Sequence, residues 1–236
     1  MKAIIQAGGK GTRLRPYTLV LPKPLVPVGG IPVIEVLLRW LRRNGVEECH
    51  ITTGYLSHLI QAVCGDGSQW DQKIFYSFEQ EPMGTVGALH LIGKEQLTET
   101  FIMLNGDVIT DLNLRDFIRH HKETGGIATI ACASKPVKVD LGVIDAQDGR
   151  MTRFREKPEL QFNVSMGIYC LEPEILDYIP RGVAFGFDDL MYTLLDKGVD
   201  VHIFEHKGMW MDIGRPEDHQ KAQEIFAQFA EPIIGS

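Results

Sequence analysis

The sequence predicts an α/β fold, a mostly parallel mixed sheet flanked by helices and built as a single domain. Three observations predict it. Short apolar runs alternate with amphipathic, helix-period segments as far as Ala133. The first apolar run stops at a glycine cluster and a later one stops at Asn105-Gly106-Asp107, where ligands gather in open α/β sheets. The 236 residues are 44% hydrophobic, enough apolar material to bury one sizeable core.

The elements follow in order. Lys2 to Ala7 reads as a buried strand. Gly8 to Gly30 is rich in glycine and proline and reads as a long ordered loop, a length that usually signals function. Pro32 opens a helix whose apolar face is Val33, Ile34, Leu37, Leu38 and Leu41, and Asn44-Gly45 ends it. Val46 to Thr53 and Lys73 to Phe78 read as strands on either side of a helix from Leu56 to Val63. Gly84 to Ile92 opens another helix, and Phe101 to Leu104 is a buried strand. Leu114 to Glu123 reads as helix and Ile127 to Ala133 as strand.

Beyond Ala133 the pattern is less regular. Gly142 to Asp145 and Met151 to Phe154 flank Asp148-Gly149, a strong hairpin signal. Val164 to Leu171 reads as a strand, Pro173 to Tyr178 and Asp188 to Lys197 as helices, and Val201 to Glu205 as a strand. Pro216 to Phe229 closes the chain as a helix with Pro216, Glu217 and Asp218 in its first turn. No hexapeptide repeat of the kind that builds a β-helix is present.

Composition narrows the function classes. A formal net charge of -7 argues against a broad nucleic-acid-binding surface, which would be basic, but leaves room for a small basic pocket. The four cysteines, Cys49, Cys64, Cys132 and Cys170, are far apart and form no CxxC pair, so buried reduced thiols are expected. No apolar run approaches the roughly 20 residues that span a bilayer, and no membrane partner is expected. The N-terminus meets glycine and lysine too soon for a signal peptide, which predicts a cytoplasmic protein.

Two segments carry chemistry. In Gly8-Gly9-Lys10-Gly11-Thr12-Arg13-Leu14-Arg15-Pro16, three glycines in four positions let the backbone approach a ligand and turn its N–H groups toward it. Arg13 and Arg15 can neutralise phosphate oxygens bidentately. The spacing is neither that of a P-loop nor that of a dinucleotide fingerprint. Alone, the segment could be a glycine-rich turn with surface arginines. In Leu21-Pro22-Lys23-Pro24-Leu25-Val26-Pro27-Val28, prolines on both sides stiffen the backbone around Lys23. A lysine held that way is a fixed point charge for a phosphate.

Gly8 to Val28 resembles the signature GGxGTRLxPxTxxxPKPxxPV of sugar-1-phosphate nucleotidylyltransferases and matches all its fixed positions. Glu79-Gln80-Glu81-Pro82-Met83-Gly84-Thr85, Leu104-Asn105-Gly106-Asp107, Phe154-Arg155-Glu156-Lys157-Pro158 and Trp210-Met211-Asp212-Ile213-Gly214-Arg215-Pro216 follow in the family's order. The resemblance implies a Rossmann-like, GT-A-like core without a β-helix domain. It implies residues 1–133 for the nucleotide and 134–236 for the sugar phosphate. A nucleoside triphosphate and a sugar 1-phosphate would give a nucleotide-sugar and pyrophosphate. Self-association is common among metabolic enzymes of this kind.

Residue roles come from the same resemblance. Asp107 and Asp212 would hold Mg²⁺, a hard cation that prefers oxygen ligands and phosphates. Arg13 would neutralise the triphosphate, and Lys23 would stabilise charge on the attacked α-phosphate. Ala7, Gly8, Gly9, Gly11, Thr12, Gly84 and Thr85 would line the nucleotide, the last two through helix-opening amides. Lys157 would contact the sugar phosphate, and Glu156 the sugar hydroxyls.

The stretch Glu79 to Gly87 is similar to one in mannose-1-phosphate and heptose-1-phosphate guanylyltransferases. Glu79 and Glu81 could accept hydrogen bonds from guanine, which favours GTP; uridylyl-, thymidylyl- and cytidylyltransferases of the same family remain alternatives. The sugar side departs from the mannose pattern. Ser165 stands for an asparagine, and Met166 for a small residue. Asn163 is nearby, with an expected offset of one residue that would turn it to the opposite strand face. Asp140-Leu141-Gly142-Val143 keeps only Gly142 and the valine of a K-Y-G-V motif, so a backbone contact to a sugar hydroxyl stays available. Another hexose, a heptose or a cyclitol phosphate fits these changes. A non-catalytic paralogue of the same fold is expected to lose charged site residues, whereas Arg13, Lys23, Asp107, Lys157 and Asp212 are all kept.

Overall fold

A computed structural model describes residues 1–235. The chain starts with β1 (Lys2–Ala7), runs through the glycine-proline loop, and adds the two-residue strands β2 (Pro27–Val28) and β3 (Ile31–Pro32) before α1 (Val33–Arg43). Next come β4 (Glu48–Thr53), α2 (Ser57–Cys64), β5 (Lys73–Phe78) and the single turn α3 (Gly84–Gly87). Then follow β6 (Phe101–Asn105), β7 (Val108–Thr110), α4 (Leu114–Thr124) and β8 (Ala128–Lys138). The hairpin β9 (Val143–Gln147) and β10 (Arg150–Arg155) leads to β11 (Glu159–Leu171), α5 (Phe187–Asp196), β12 (Val201–His206), β13 (Trp210–Asp212) and α6 (Pro216–Ile234).

Seven strands form one sheet in the order β12-β8-β11-β6-β1-β4-β5. Every pairing in it is parallel except those of β11, which runs antiparallel between β6 and β8. This is the expected mixed α/β sheet. From β1 the chain builds outward through β4 and β5, then returns to place β6 on the other side of β1. The crevice beyond the carboxyl ends of β1 and β6 is therefore a topological switch point, where ligands bind in folds of this kind.

Strand periodicity splits the core in two. On β1, Ala3, Ile5 and Ala7 face one apolar cluster and Ile4 faces the other. On β6, Ile102 and Leu104 pair with the first cluster, Phe101 and Met103 with the second. Helix α1 buries Val33, Ile34, Val36, Leu37, Leu38, Trp40 and Leu41 against the first. It stops where expected: the Asn44 side chain donates to Trp40 O at 3.0 Å, and Gly45 takes φ 84°. The four cysteines are free and buried. Among the described residues, no helix is long and apolar enough to cross a membrane.

Some expected elements differ. The stretch Gly84 to Ile92 is one α-turn followed by a 3₁₀ turn over Ala88–Leu91, and Pro173–Tyr178 is also 3₁₀. Two three-residue strands, β7 and β13, were not legible in the sequence, since three residues are too few to show a period. They pair antiparallel with Asp212 opposite Val108. The Asp148-Gly149 signal makes the β9–β10 hairpin, with φ 51° and 77° at its tip.

Gly106 sets how closely the two central strands meet. Its N–H donates to Gln6 O at 2.9 Å, and a Cβ there would lie 2.8 Å from the same oxygen. Gly106→Ala therefore forces β1 and β6 apart at the crevice. We expect a loss of about 1–3 kcal/mol in stability, read as a lower urea midpoint; an unchanged midpoint would contradict this packing.

Candidate active site

A cleft of about 450 Å³ opens at the switch point. Its walls include Ala7, Gly8, Gly9, Gly11, Thr12 and Arg13 after β1, Lys23 from the proline-framed segment, and Glu79, Gly84 and Thr85 after β5. Asp107 lines it from the end of β6. Thus eleven of the twelve residues singled out for nucleotide binding or chemistry in the first half of the chain share one cavity; Glu81 is exposed and lies outside it.

The glycine-rich loop is folded back on itself. The Thr18 hydroxyl donates to Gly11 O at 2.8 Å, and Gly11 adopts φ 59°. A Cβ at Gly11 would meet the Thr18 methyl at 2.9 Å, so glycine is needed there for both reasons. Gly8 lies under the Glu79 carboxylate, where a Cβ would come within 3 Å of it. Helix α6 braces the far end of the loop: His219 Nε2 meets Pro27 O at 2.8 Å, and Gly29 N–H donates to Gln223 Oε1 at 2.8 Å.

The charged centre joins distant parts of the chain. The β7–β13 ladder brings Asp107 and Asp212 together, and Ile213 N–H donates to Asp107 O at 2.9 Å. Lys23 Nζ is ion-paired with Asp107 Oδ2 and stands 3.8 Å from Asp212 Oδ1. Burial lowers the pKa of Lys23; Asp212 opposes the shift and the Arg13 charge adds to it. Asp107 Oδ1 is buried with no hydrogen-bond partner among the described residues. Asp212 itself faces an adjoining cleft of about 320 Å³, lined also by Lys135, Trp210 and Asp218.

Among the described residues, no three His, Cys, Asp or Glu side chains cluster as a self-sufficient metal cage. Two carboxylates with one unpartnered buried oxygen do fit Mg²⁺, which keeps waters and shares itself with substrate phosphates.

Glu79 hangs from the Met83 N–H through Oε2 at 2.9 Å, and burial raises its pKa. The amides at the start of α3 are less free than expected. Val86 and Gly87 both donate to Phe185 O, at 3.2 and 3.1 Å, leaving only Gly84 and Thr85 toward the cleft.

The residues expected for the sugar phosphate line neither cleft. Gly142 and Glu156 are neighbours on the hairpin, since a Cβ at Gly142 would lie 3.3 Å from Glu156 Oε2. Glu156 and Lys157 are exposed, and Lys157 has φ 43°. Ser165 Oγ accepts from Gly167 N–H at 3.2 Å and donates to Tyr169 Oη at 3.3 Å. Met166 is wholly buried in the first core cluster, so its thioether shapes packing and not a sugar pocket. Asn163 and Ser165 are two residues apart on β11 and share a face, correcting the expected one-residue offset. Gln6 and Asn105 also line the main cleft. The sequence signal for Gln6 was a single polar residue inside the apolar run of β1.

The sheet, its switch point and this cleft define an α/β protein of nucleotidyltransferase fold. The chain belongs to the nucleotidyl transferase family, whose model matches residues 2–228. It is 35% identical to UTP–glucose-1-phosphate uridylyltransferase of Synechocystis, over 94% of this chain and 62% of that protein. It is 34% identical to mannose-1-phosphate guanyltransferase beta-B of Xenopus laevis, over 97% of this chain and 65% of that one. The chain thus spans less than two thirds of the length of these curated relatives. The structure is similar to that of HddC from Yersinia pseudotuberculosis complexed with GMP-PN, with a TM-score of 0.75 at 27% identity, covering 95% of this chain and 99% of that one.

The raised pKa of Glu79 has a stability consequence. The folded state keeps a proton there that the unfolded chain has already lost, so stability falls as pH rises from the ordinary glutamate value to the raised one. Glu79→Gln should therefore be more stable than the parent at neutral pH, with the difference vanishing below the ordinary glutamate range. Urea midpoints at neutral and acid pH check this; equal gains at both would contradict it.

Proposed function

We propose that this cleft transfers a nucleoside monophosphate from a nucleoside triphosphate to a sugar 1-phosphate and releases pyrophosphate. The observation that carries the reading is the meeting of Arg13, Lys23, Asp107 and Asp212 beside a glycine-lined phosphate cradle. Both substrates are anions, so charge neutralisation and in-line placement dominate the barrier. A sugar-phosphate oxygen forms the new bond to the α-phosphorus as the bond to the bridging oxygen breaks, and that oxygen leaves with pyrophosphate. No protein nucleophile and no proton transfer are required.

The backbone from Ala7 to Thr12 holds the triphosphate, and Arg13 stabilises the charge that leaves with pyrophosphate. Lys23 exchanges its carboxylate partners for the α-phosphate. Mg²⁺ between Asp107 and Asp212 would neutralise phosphate oxygens. Residues 1–133 serve the nucleotide and residues 134–236 the sugar phosphate, with Lys157 on the phosphate, Glu156 and the Gly142 backbone on hydroxyls, and Ser165 facing the sugar. These four line neither cleft, so the reading requires this arm to move toward the triphosphate.

GTP is the favoured triphosphate. Support comes from Glu79 in the cleft, from the guanyltransferase relative and from the GMP-PN complex of HddC. The uridylyltransferase relative favours UTP as a second reading. The sugar is a mannose-like hexose or a heptose 1-phosphate, or a related phosphate suited to Ser165.

Pyrophosphate release across GTP, UTP, CTP, dTTP and ATP with a panel of sugar phosphates tests the reading; no turnover by a folded, Mg²⁺-supplied sample with any pair would overturn it. Asp107→Asn and Lys23→Ala should each lower kcat by about 10²–10³ with folding retained. A variant of either kind with parental kcat would place the chemistry elsewhere.

A further inference from the structure

Gln6 is the one polar side chain between the apolar residues Ala3 and Ala7 of β1, and it lines the main cleft together with Glu79 and Gly84. Its neighbours in register are Thr52 on β4 and Asn105 on β6, which makes a polar rung across three central strands. The Thr52 hydroxyl donates to Gln6 Oε1 at 2.7 Å. That bond uses the acceptor end of the carboxamide. The donor end, Nε2, is shielded from water and has no partner among the described residues. A buried donor without an acceptor is unfavourable, and native folds keep few of them. In the same cleft, the Glu79 carboxylate offers only acceptors once ionised. The floor of the cleft thus presents a donor and an acceptor.

We propose that Gln6 is a base-reading residue: with Glu79 it recognises the keto–imide edge shared by guanine, uracil and thymine. On that edge a ring carbonyl accepts and the adjacent ring N–H donates, the complement of Gln6 Nε2 and the Glu79 carboxylate. Adenine and cytosine carry the reverse arrangement, an amino donor beside a ring-nitrogen acceptor, and meet like groups on both sides. Gln6 and Glu79 therefore exclude the two amino bases, while the choice between purine and pyrimidine lies in the shape of the cleft. The inference rests on the transfer reading above, but not on its preference for GTP. The relatives named for guanyl and for uridylyl transfer, at 34% and 35% identity, are named for two bases that share this edge.

The test is calorimetric binding of GTP, UTP, dTTP, ATP and CTP to the full chain and to Gln6→Met, which keeps the volume and removes both polar atoms. A second variant, Gln6→Leu, removes the same polar atoms with a branched apolar side chain and adds no charge to the cleft. The parent should bind its best keto base more tightly than ATP or CTP. Each variant should weaken that base by about ten-fold, one neutral hydrogen bond, and bind ATP and CTP at least as well as the parent, because the donor that repels their amino groups is gone. The analogue lacking the carbonyl (2-aminopurine riboside triphosphate for guanine, 2-pyrimidinone riboside triphosphate for uracil) should not distinguish parent from variant. Equal weakening of every triphosphate and of the analogue would make Gln6 a purely structural residue and overturn the proposal, as would unchanged base ratios. A parent that binds no triphosphate would overturn the transfer reading itself.

Discussion

Two carboxylates and a lysine share one small volume at the carboxyl ends of β1 and β6, and the surrounding architecture serves to keep them there. Asp107 and Asp212 are like charges separated by most of the second half of the chain. The short β7–β13 ladder and the Ile213 N–H to Asp107 O bond hold their backbones together. Lys23 on Asp107 and near Asp212 offsets the repulsion. That arrangement is poised for exchange. A cation held by the carboxylates would release the ammonium toward an incoming phosphate, and the ammonium is already weakened by burial.

The proposed reading asks an acidic chain to bind polyanions, and the scaffold offers a local place for them. The net charge is -7, and the cleft sets Arg13, Lys23 and a run of glycine backbone against the carboxylates of Glu79 and Asp107. Backbone N–H groups carry partial positive charge without bringing a side chain into the way. Gly11 and Gly106 matter for separate reasons. Gly11 lets the loop fold over Thr18, and Gly106 lets β6 approach β1. Helix α6, the closing element of the chain, fastens the loop through His219 and Gln223. Loop, sheet and final helix are thus one mechanical unit around the site.

Much of this was legible in the sequence. The strands β1, β5 and β6 and the helix α1 have lengths and apolar periods that leave little choice, and Asp148-Gly149 can hardly be anything but a hairpin tip. The cradle was legible because glycine spacing and arginine placement report directly on backbone geometry. Other features were not. β7 and β13 are too short to carry a period, yet they are what unites Asp107 with Asp212. Met166 read as a possible sugar contact because a strand pattern gives alternation but not which face is core; packing turns it inward. The helix expected after Gly84 keeps one α-turn and then tightens into a 3₁₀ turn over Ala88–Leu91, while Phe185 O, about 100 residues away, takes the Val86 and Gly87 amides that the sequence left open. Gln6 was hidden by its apolar neighbours, and only the folded chain shows that it lines the same cleft as Glu79.

The central claim is a single in-line displacement at the α-phosphorus, with the protein supplying charge and position but no nucleophile. The stereochemical course of transfer from a nucleoside triphosphate with one α-oxygen replaced by sulfur, followed by phosphorus NMR of the nucleotide-sugar, tests it most directly. The account predicts inversion at the α-phosphorus. Retention would require a covalent nucleotidyl-protein intermediate and would contradict it.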